Sequence, residues 1–237
     1  MNNDVRNIVI NDLDLSIYSF WYCVIHHTDE LIHKIETTSI TIEEWHIQKQ
    51  VQNNKQGSEL IALAFSTLFL NRTNRSGIIK AGAIGGKSQN GNYKIDCRFN
   101  KEKIIEKIRN IASKGEKIEI YNQDTKYFIK DVIENSSHSF TFFDPPYYEK
   151  GPSLYTNFYK HVDHKELADT IQSLLYNHAW IVTYDNSDEI KRIYEKLPYI
   201  EYYLSYSANK KTKGIEYMFF SPSTLPVDPD NFLSLCL

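Results

Sequence analysis

The chain has 237 residues and a mass of 27.8 kDa, enough for one large domain or two small ones with a hydrophobic core. Hydrophobic residues make up 41% and charged residues 24%, which excludes collagen, a coiled coil and intrinsic disorder. The longest apolar run, residues 60–70, is too short for a membrane span. Cys23, Cys97 and Cys236 are too scattered for a disulfide framework or a zinc site. We therefore expect a soluble cytoplasmic protein without bound metal.

The charge is unevenly distributed along the chain. The protein has a net charge of −3, yet the segment from Arg72 to Lys103 contains eight basic residues and two acidic ones. Five of the nine glycines lie in residues 77–91 of the same segment. A basic segment on an otherwise acidic protein is typical of a surface that contacts a polyanion. The alternative is a solvated, lysine-rich surface without a partner.

Short apolar runs alternate with helical patterns, which predicts an α/β fold in which helices cross over between strands of a sheet. Strands are predicted over residues 6–10, 117–121, 139–143, 180–184, 199–207 and 215–220. Helices are predicted over residues 15–26, 43–50, 59–70, 101–113, 125–133, 163–177 and 187–197. Residues 71–100 show no period and are predicted to form loops and a hairpin, and the chain after residue 221 an irregular tail.

The chemistry is concentrated in Asp144-Pro145-Pro146-Tyr147, which directly follows the apolar residues 140–143. In open α/β sheets ligands bind at the carboxyl ends of strands, so this carboxylate faces a predicted site. The two prolines fix the backbone and leave carbonyl oxygens available as acceptors. A carboxylate and a carbonyl that accept both hydrogens of a base amino group would localise its lone pair for attack on a methyl group. The aromatic ring would stack on a base flipped out of its duplex.

This motif, extended to residues 142–148, resembles the catalytic motif of amino-methyltransferases that use S-adenosylmethionine. The aspartate, together with Leu-Asn-Arg-Thr-Asn-Arg-Ser-Gly at residues 70–77, is similar to the Dam-type DNA adenine methylases. The resemblance continues in residues 10–14 and 121–124 and in the later strands, so that it covers residues 7–220. It implies a Rossmann-like methyltransferase sheet with helices on both faces and a small DNA-recognition insert. It also implies transfer of a methyl group from S-adenosylmethionine to the 6-amino group of adenine in double-stranded DNA.

The resemblance assigns roles to individual residues of the catalytic motif and the acidic strand ends. Asp144 and the Pro145 carbonyl would orient the amino group, with Pro146 and Tyr147 completing the catalytic motif. The implied cofactor ligands are Asp12, Asp14 and Asp124. The alternative for Asp12 and Asp14 is a helix N-terminus that favours carboxylates, and for Asp124 an ordinary helix cap.

The basic segment falls where the family recognises DNA. The implied DNA-contacting residues are Asn71, Arg72, Arg75, Lys87 and Lys94. Arginine can read guanine, whereas lysine mainly neutralises phosphate. The corresponding domain assignment gives residues 1–58 and 101–237 to the catalytic domain and residues 59–100 to the recognition insert.

One element of the family pattern has no counterpart in this sequence. The family's first strand ends in a Phe-x-Gly-x-Gly type loop that wraps the cofactor, but the first glycine here is Gly57. In the family's sheet that strand is central, between the equivalents of residues 7–10 and 140–143. Its absence would leave unpaired strand edges, which invite pairing with another chain. We therefore expect an amino-terminally incomplete methylase, half of a split enzyme completed by a second polypeptide, or a DNA-binding relic that closes the gap by direct pairing.

Other functions remain open on the sequence. The chain could be a catalytically silent DNA-binding subunit, or it could methylate the 4-amino group of cytosine or adenine in RNA by the same chemistry. A nuclease would need carboxylates clustered around magnesium, and Asp163, Asp185 and Asp188 do not form a recognisable set.

Overall fold

The structure, a computed structural model, describes residues 5–149, 151, 158–206, 212–224, 226–229 and 233–236. For residues 205, 206, 212 and 213 it describes the backbone alone. The chain folds as two compact units, Met1–Gln123 and Asp124–Leu237, which are taken in turn. Among the described residues, no helix combines the length and the apolar character that a membrane crossing requires.

The first unit is a helical bundle with a pair of strands. Its strands are β1 (Ile8–Asn11) and β2 (Ile118–Tyr121). Its helices are α1 (Leu15–His26), α2 (Thr28–Thr37), α3 (Ile42–Asn53), α4 (Leu60–Thr73) and α5 (Lys101–Ala112). Side-chain caps on backbone N–H groups set the starts of three helices: Asp14 for α1, Thr41 for α3 and Asn100 for α5.

Helix α4 lies at the centre of the first unit. Its side chains are apolar almost all round and are buried from Leu63 to Leu70, as expected for a helix enclosed by other helices. It packs against α1 and α3. Helix α5 is amphipathic instead and buries Ile104, Ile105 and Ile108 in the same core. The predicted buried helix over residues 59–70 is therefore confirmed and extends three residues further.

The two strands of the first unit are parallel, with Ile8 opposite Ile118 and Asn11 opposite Tyr121. Within the described residues, β1 pairs with β2 alone. Val9 remains 44% exposed, although strands of parallel sheets are commonly covered on both faces.

The basic segment after α4 consists mainly of turns, as predicted. An isolated antiparallel bridge joins Asn74 to Ala83. Gly85 has a φ of +79° and approaches Tyr93 so closely that a Cβ there would lie 2.6 Å from the Tyr93 carbonyl oxygen. Only glycine fits this turn.

The second unit is built on a five-stranded sheet. Its strands are β3 (Phe140–Phe143), β4 (Ala179–Asp185), β5 (Tyr199–Tyr206), β6 (Thr212–Phe220) and β7 (Ser234–Leu235), in the spatial order β3-β4-β6-β5-β7. β3 and β4 are parallel, and the remaining pairs are antiparallel. The helices are α6 (Thr125–Phe128), continued by a π-helical turn over Ile129–Ile133, α7 (His161–Leu174) and α8 (Asp188–Ile193). Within the described residues, β3 pairs with β4 alone.

The mixed α/β class and most of the elements agree with the sequence predictions. Other details were wrong. Helix α2 was missed, although Leu31, Ile32 and Ile35 bury its apolar stripe. Helix α7 begins at His161, and α8 ends at Ile193 instead of residue 197. The tail is not wholly irregular because β7 pairs with β5. Of the turn predicted between β5 and β6, residues 208–211 lie outside the described residues, and residues 212–214 belong to strand β6 instead.

Candidate active site

Amide side chains join the carboxyl ends of β1 and β2 in the first unit. The Asn11 side chain donates to the Gln123 carbonyl and accepts from the Gln123 N–H, both at 3.0 Å. Asn122 donates to the carbonyl oxygens of Asp12 and Leu13, at 2.8 and 3.1 Å. The backbone that carries Asp12 is therefore held in place by the neighbouring strand end.

Asp12 and Asp14 follow β1 but have different surroundings. One Asp12 oxygen accepts from the Asp14 N–H at 2.8 Å, and within the described residues no donor is bonded to the other. Burial raises the pKa of Asp12. Asp14 accepts from the Ser16 N–H, and Lys55 Nζ lies 2.7 and 2.9 Å from its two oxygens. Burial raises the pKa of Asp14, but the bonds from Lys55 and Ser16 outweigh it and leave that pKa below its usual value. Asp14 thus has the helix-cap role that was the alternative for it.

Asp124, in the second unit, also caps a helix. Its carboxylate accepts from the Lys126 N–H at 2.9 Å at the start of α6. The structure therefore places Asp12 and Asp14 at one strand end, and Asp124 at the first residue of the other unit.

Asp144 lies at the carboxyl end of β3, as predicted, and is exposed. Thr183 of the neighbouring strand β4 donates to its Oδ1 at 3.2 Å. Although Asp144 is exposed, surrounding protein atoms remove part of its hydration, which raises its pKa. The bond from Thr183 opposes this rise, and the charge of Glu216 adds to it. The site therefore presents a carboxylate that is a better proton acceptor than an ordinary aspartate.

The residues after Asp144 leave acceptors available next to it. Within the described part of the chain, neither the Pro145 nor the Pro146 carbonyl accepts a hydrogen bond. Tyr147 is partly buried, and its hydroxyl donates to Glu216 Oε1 at 2.6 Å. The structure thus brings together, on one loop, a carboxylate, an aromatic ring anchored at its hydroxyl, and carbonyl oxygens that accept no hydrogen bond from the described residues, that of Pro145 belonging to a buried residue.

Two buried carboxylates that the sequence analysis did not assign to the site hold this loop. Asp185, at the end of β4, accepts from the N–H groups of Tyr148 and Glu149 at 2.8 and 3.0 Å. Glu216, in β6, accepts from Tyr147 and, at 2.8 Å, from Tyr202. The sequence contains a signal for each residue. Asp185 is an acid directly after a predicted apolar strand, and Glu216 is a charged residue within a predicted strand. Neither signal indicates which partner the carboxylate finds.

A buried histidine lies behind the loop. His164 packs against the Tyr148 ring, with centroids 5.1 Å apart, and its Nδ1 lies 3.0 Å from the Tyr184 hydroxyl. Burial lowers the pKa of His164 to about 4, so that the ring is neutral at physiological pH. The nearby charges of Asp185 and Asp163 oppose this shift.

The predicted DNA-contacting residues lie on α4 and the turns that follow it. Asn71, Arg75, Lys87 and Lys94 are exposed, whereas Arg72 is partly buried and its Nε has no partner among the described residues. The missed residue in this segment is Asn74, which is fully buried. Its amide donates to the carbonyls of residues 78 and 79 and accepts from the Trp45 indole N–H at 2.6 Å. Asn74 thereby fixes the turn over residues 74–79, which carries Arg75.

The sequence model of the D12 class N6 adenine-specific DNA methyltransferases matches residues 1–211. The chain belongs to this class. No curated protein sequence matches it. The reaction of a D12 class methyltransferase is methylation of the 6-amino group of adenine in DNA, with S-adenosylmethionine as the donor. The predictions of family, reaction and donor are therefore confirmed, and DNA is the expected partner.

Two acceptor atoms of the first unit of this D12 class methyltransferase are suited to the adenosyl group of S-adenosylmethionine. The second oxygen of Asp12 is available to accept from a ribose hydroxyl. Gln123 Oε1 is buried and has no partner among the described residues, so it can accept from an amino group. These acceptors fit the donors of an adenosyl group. Asp14 fits less well because Lys55 occupies both of its oxygens.

Proposed function

We propose that this chain methylates adenine N6 in DNA with Asp144, the Pro145 carbonyl and Tyr147 as its catalytic residues. The observation that carries the proposal is the exposed Asp144 carboxylate, which has an oxygen without a donor among the described residues, beside carbonyls that accept nothing there. One amino hydrogen of a flipped adenine would be donated to Asp144 and the other to Pro145. Pro146 keeps the loop rigid, and the Tyr147 ring stacks on the base.

Bound S-adenosylmethionine supplies an electrophilic methyl group to this site. The hydrogen bonds to Asp144 and Pro145 make the N6 lone pair available, and the transfer leaves N6 with an extra proton. Asp144 is positioned to accept that proton, and its raised pKa favours this. Asp12 would bind the cofactor ribose, with Asp14 supporting it, and Asp124 would contact the cofactor adenine.

The proposed architecture is a Rossmann-like methyltransferase sheet without its first central strand. Among the described residues β1 and β3 have one partner strand each, and Phe140 and Phe142 are 58% and 55% exposed. Both observations support this architecture, because the central strands of a parallel sheet pair on both edges and are commonly covered on both faces. A second polypeptide would supply the strand and its glycine loop. Residues 1–58 and 101–237 would form the catalytic domain and residues 59–100 the recognition insert, in a cytoplasmic enzyme.

The recognition insert would contact DNA through its exposed polar side chains. Arg72 and Arg75 are suited to reading guanine, Lys87 and Lys94 to neutralising phosphate, and Asn71 to either contact. The turn fixed by Asn74 supports the assignment of Arg75 because it determines where that side chain emerges, and the exposure of Asn71, Lys87 and Lys94 supports theirs.

Calorimetric titration of S-adenosylmethionine into the chain tests the cofactor part of the proposal. Asp12→Ala is the variant and Asp131→Ala, an exposed residue of the π-helical turn, is the control. We expect S-adenosylmethionine to bind to the unmodified chain and to Asp131→Ala, and not to Asp12→Ala. Absence of binding to the unmodified chain would contradict a self-sufficient methylase and favour the silent or split subunit. The pairing of β1 and β3 with one strand each among the described residues also favours that alternative.

Incubation with unmethylated DNA and S-adenosylmethionine, followed by mass spectrometry of the nucleosides, tests the reaction itself. We expect N6-methyladenine from the unmodified chain and from Asp131→Asn, and about 10³-fold less of it from Asp144→Asn at equal times. N4-methylcytosine as the product would contradict the assigned target.

A further inference from the structure

Glu216 contacts none of the reacting groups in the proposed reaction, yet it is the most enclosed of the described carboxylates beside the catalytic loop, residues 144–149. Its side chain is 2% exposed. An ionised carboxylate in such a place is costly unless hydrogen bonds compensate it. Both of its oxygens accept from phenols, Oε1 from Tyr147 at 2.6 Å and Oε2 from Tyr202 at 2.8 Å.

Strand register explains why Glu216 lies next to the loop. In the antiparallel pair of β4 and β6, Glu216 is directly opposite Asp185, and in the pair of β5 and β6 it is opposite Tyr202. Asp185 binds the loop backbone at Tyr148, and Glu216 binds the side chain of Tyr147. Two neighbouring carboxylates therefore hold the same loop at two points.

We propose that Glu216 is a positioning residue that fixes the plane on which the target adenine stacks. The proposal rests on the stacking role of Tyr147 in the proposed function. The backbone fixes one end of the tyrosine side chain, at Cα, and the bond to Glu216 fixes the other end, at the hydroxyl. A ring held at both ends of its long axis cannot swing away from the base. A phenylalanine at this position would lack the hydrogen bond to Glu216, so the hydroxyl of Tyr147 is the group that fixes the far end of the ring.

Tyr202 serves Glu216 in this arrangement. Without the Tyr202 hydroxyl, Oε2 would lose a hydrogen bond in a buried place. Because an unpaired buried acceptor is costly, the carboxylate would then rotate towards water. The Tyr202 side chain is 5% exposed and comes from the strand adjacent to β6, so it is itself well fixed. The order of support runs from Tyr202 to Glu216 to Tyr147 and then to the base.

Fluorine NMR of the full chain labelled with 3-fluorotyrosine tests the contact without requiring activity. Tyr147→Phe and Tyr202→Phe assign the two resonances, and Tyr176→Phe, at a residue that is 65% exposed, is the control. We expect Glu216→Gln to move both resonances and to narrow that of Tyr147 as its ring gains motion. We also expect Tyr147→Phe to move the Tyr202 resonance through the shared carboxylate, an outcome that survives if Glu216→Gln fails to fold.

Steady-state kinetics on unmethylated DNA then separates positioning from a purely structural role. We expect Glu216→Gln and Tyr147→Phe each to lower kcat about tenfold with little change in KM, because each removes the hydrogen bond between the Tyr147 hydroxyl and a charged carboxylate. The double variant should be no slower than the slower single variant, since both changes break the same contact. Additive losses, or an unmoved Tyr147 resonance in Glu216→Gln, would overturn the proposal. An unmodified chain without activity would contradict the proposed function and leave the NMR result to decide on Glu216.

Discussion

The carboxyl ends of β1 and β3 carry similar acidic residues, but the protein uses them differently. After β1, Asp14 caps α1 and binds Lys55 with both oxygens. After β3, Asp144 accepts a 3.2 Å bond from Thr183 and remains exposed. The first carboxylate is committed to the fold, whereas the second is available to a ligand.

The cause of this difference is the residue two positions further along the chain. Asp12, Asp14 and Asp124 each accept from the N–H of residue i+2, which is Asp14, Ser16 and Lys126 respectively. Residue i+2 of Asp144 is Pro146, which has no N–H. The second proline therefore prevents the local hydrogen bond that the other three aspartates make. The comparison teaches that a proline at i+2 leaves an acidic strand end without this local bond, whereas Asp12, which accepts the bond with one oxygen, keeps the other for a ligand.

Neutralising the available carboxylate is the largest expected effect. Asp144→Asn should lower methyl transfer by about 10³-fold, because an amide neither accepts from the amino group as strongly nor takes its proton. DNA affinity should stay nearly unchanged. The matched change at the committed acid, Asp14→Asn, should leave most of the activity. Single-turnover rates and DNA binding by both variants measure the contrast, and equal losses at the two positions would break the comparison.

A backbone N–H at residue 146 should bind the Asp144 carboxylate, as the i+2 N–H groups bind Asp12, Asp14 and Asp124, and so make it less available to a ligand. Pro146→Ala restores the N–H, and a hydrogen bond to a charged acceptor is worth about 1.5–3 kcal/mol, so we expect a loss of roughly tenfold or more in rate. Such a bond stabilises the charged form and lowers the pKa of Asp144, so the acidic limb of the pH–rate profile should shift to lower pH.

Pro145→Ala serves as the comparison for this experiment because its N–H belongs to residue i+1. It should lower the rate by loosening the loop but should leave the acidic limb where it is. An acidic limb that moves equally in both variants would refute the i+2 explanation.

Removing the committed carboxylate should affect stability more than chemistry. Asp14→Ala removes a helix cap and an ion pair, and we expect a loss of about 1–2 kcal/mol in the free energy of unfolding. Asp14→Asn keeps the cap and loses the pair with Lys55, so the difference between the variants isolates the cap. Because the pKa of Asp14 is lowered in the folded state, its contribution is present at neutral pH and lost as the pH falls through that value. Urea unfolding at pH 7 measures both losses, and a stable Asp14→Ala variant would contradict the assignment.

The sequence could indicate much of the fold and the catalytic loop because the deciding signals are local. Apolar runs predicted β3 and β4 within one or two residues, and the motif at residues 144–147 lies where a strand ends. Asp185 and Glu216 could not be assigned to the loop in the same way. Their partners are 37 and 69 residues distant and are brought near by strand register alone.

An acidic residue between a strand and a helix was compatible with two roles, a cofactor ligand or a helix cap. Asp14 and Asp124 follow apolar strands and precede helices, and both cap those helices in the structure. Lys55, which decides the environment of Asp14, lies 41 residues away along the chain. Helix α2 was missed because its apolar stripe is short and is interrupted by charged residues, so its packing partners carry most of its stability.

In the basic segment, too, one lysine is bonded within the protein and another is available to a ligand. The effect of this difference on DNA binding is the smallest that we expect. Lys94 Nζ donates to the Gln89 carbonyl, whereas within the described residues Lys87 has no partner. Each phosphate contact contributes about 0.9 to the slope of log K against log salt concentration. We therefore expect Lys87→Ala to reduce the slope for DNA binding by about 0.9, and Lys94→Ala to reduce it by about 0.9 or less because its hydrogen bond must be given up first. Lys107→Ala, an exposed lysine on α5, is the control, and slopes equal to that of the unmodified chain would remove both residues from the DNA interface.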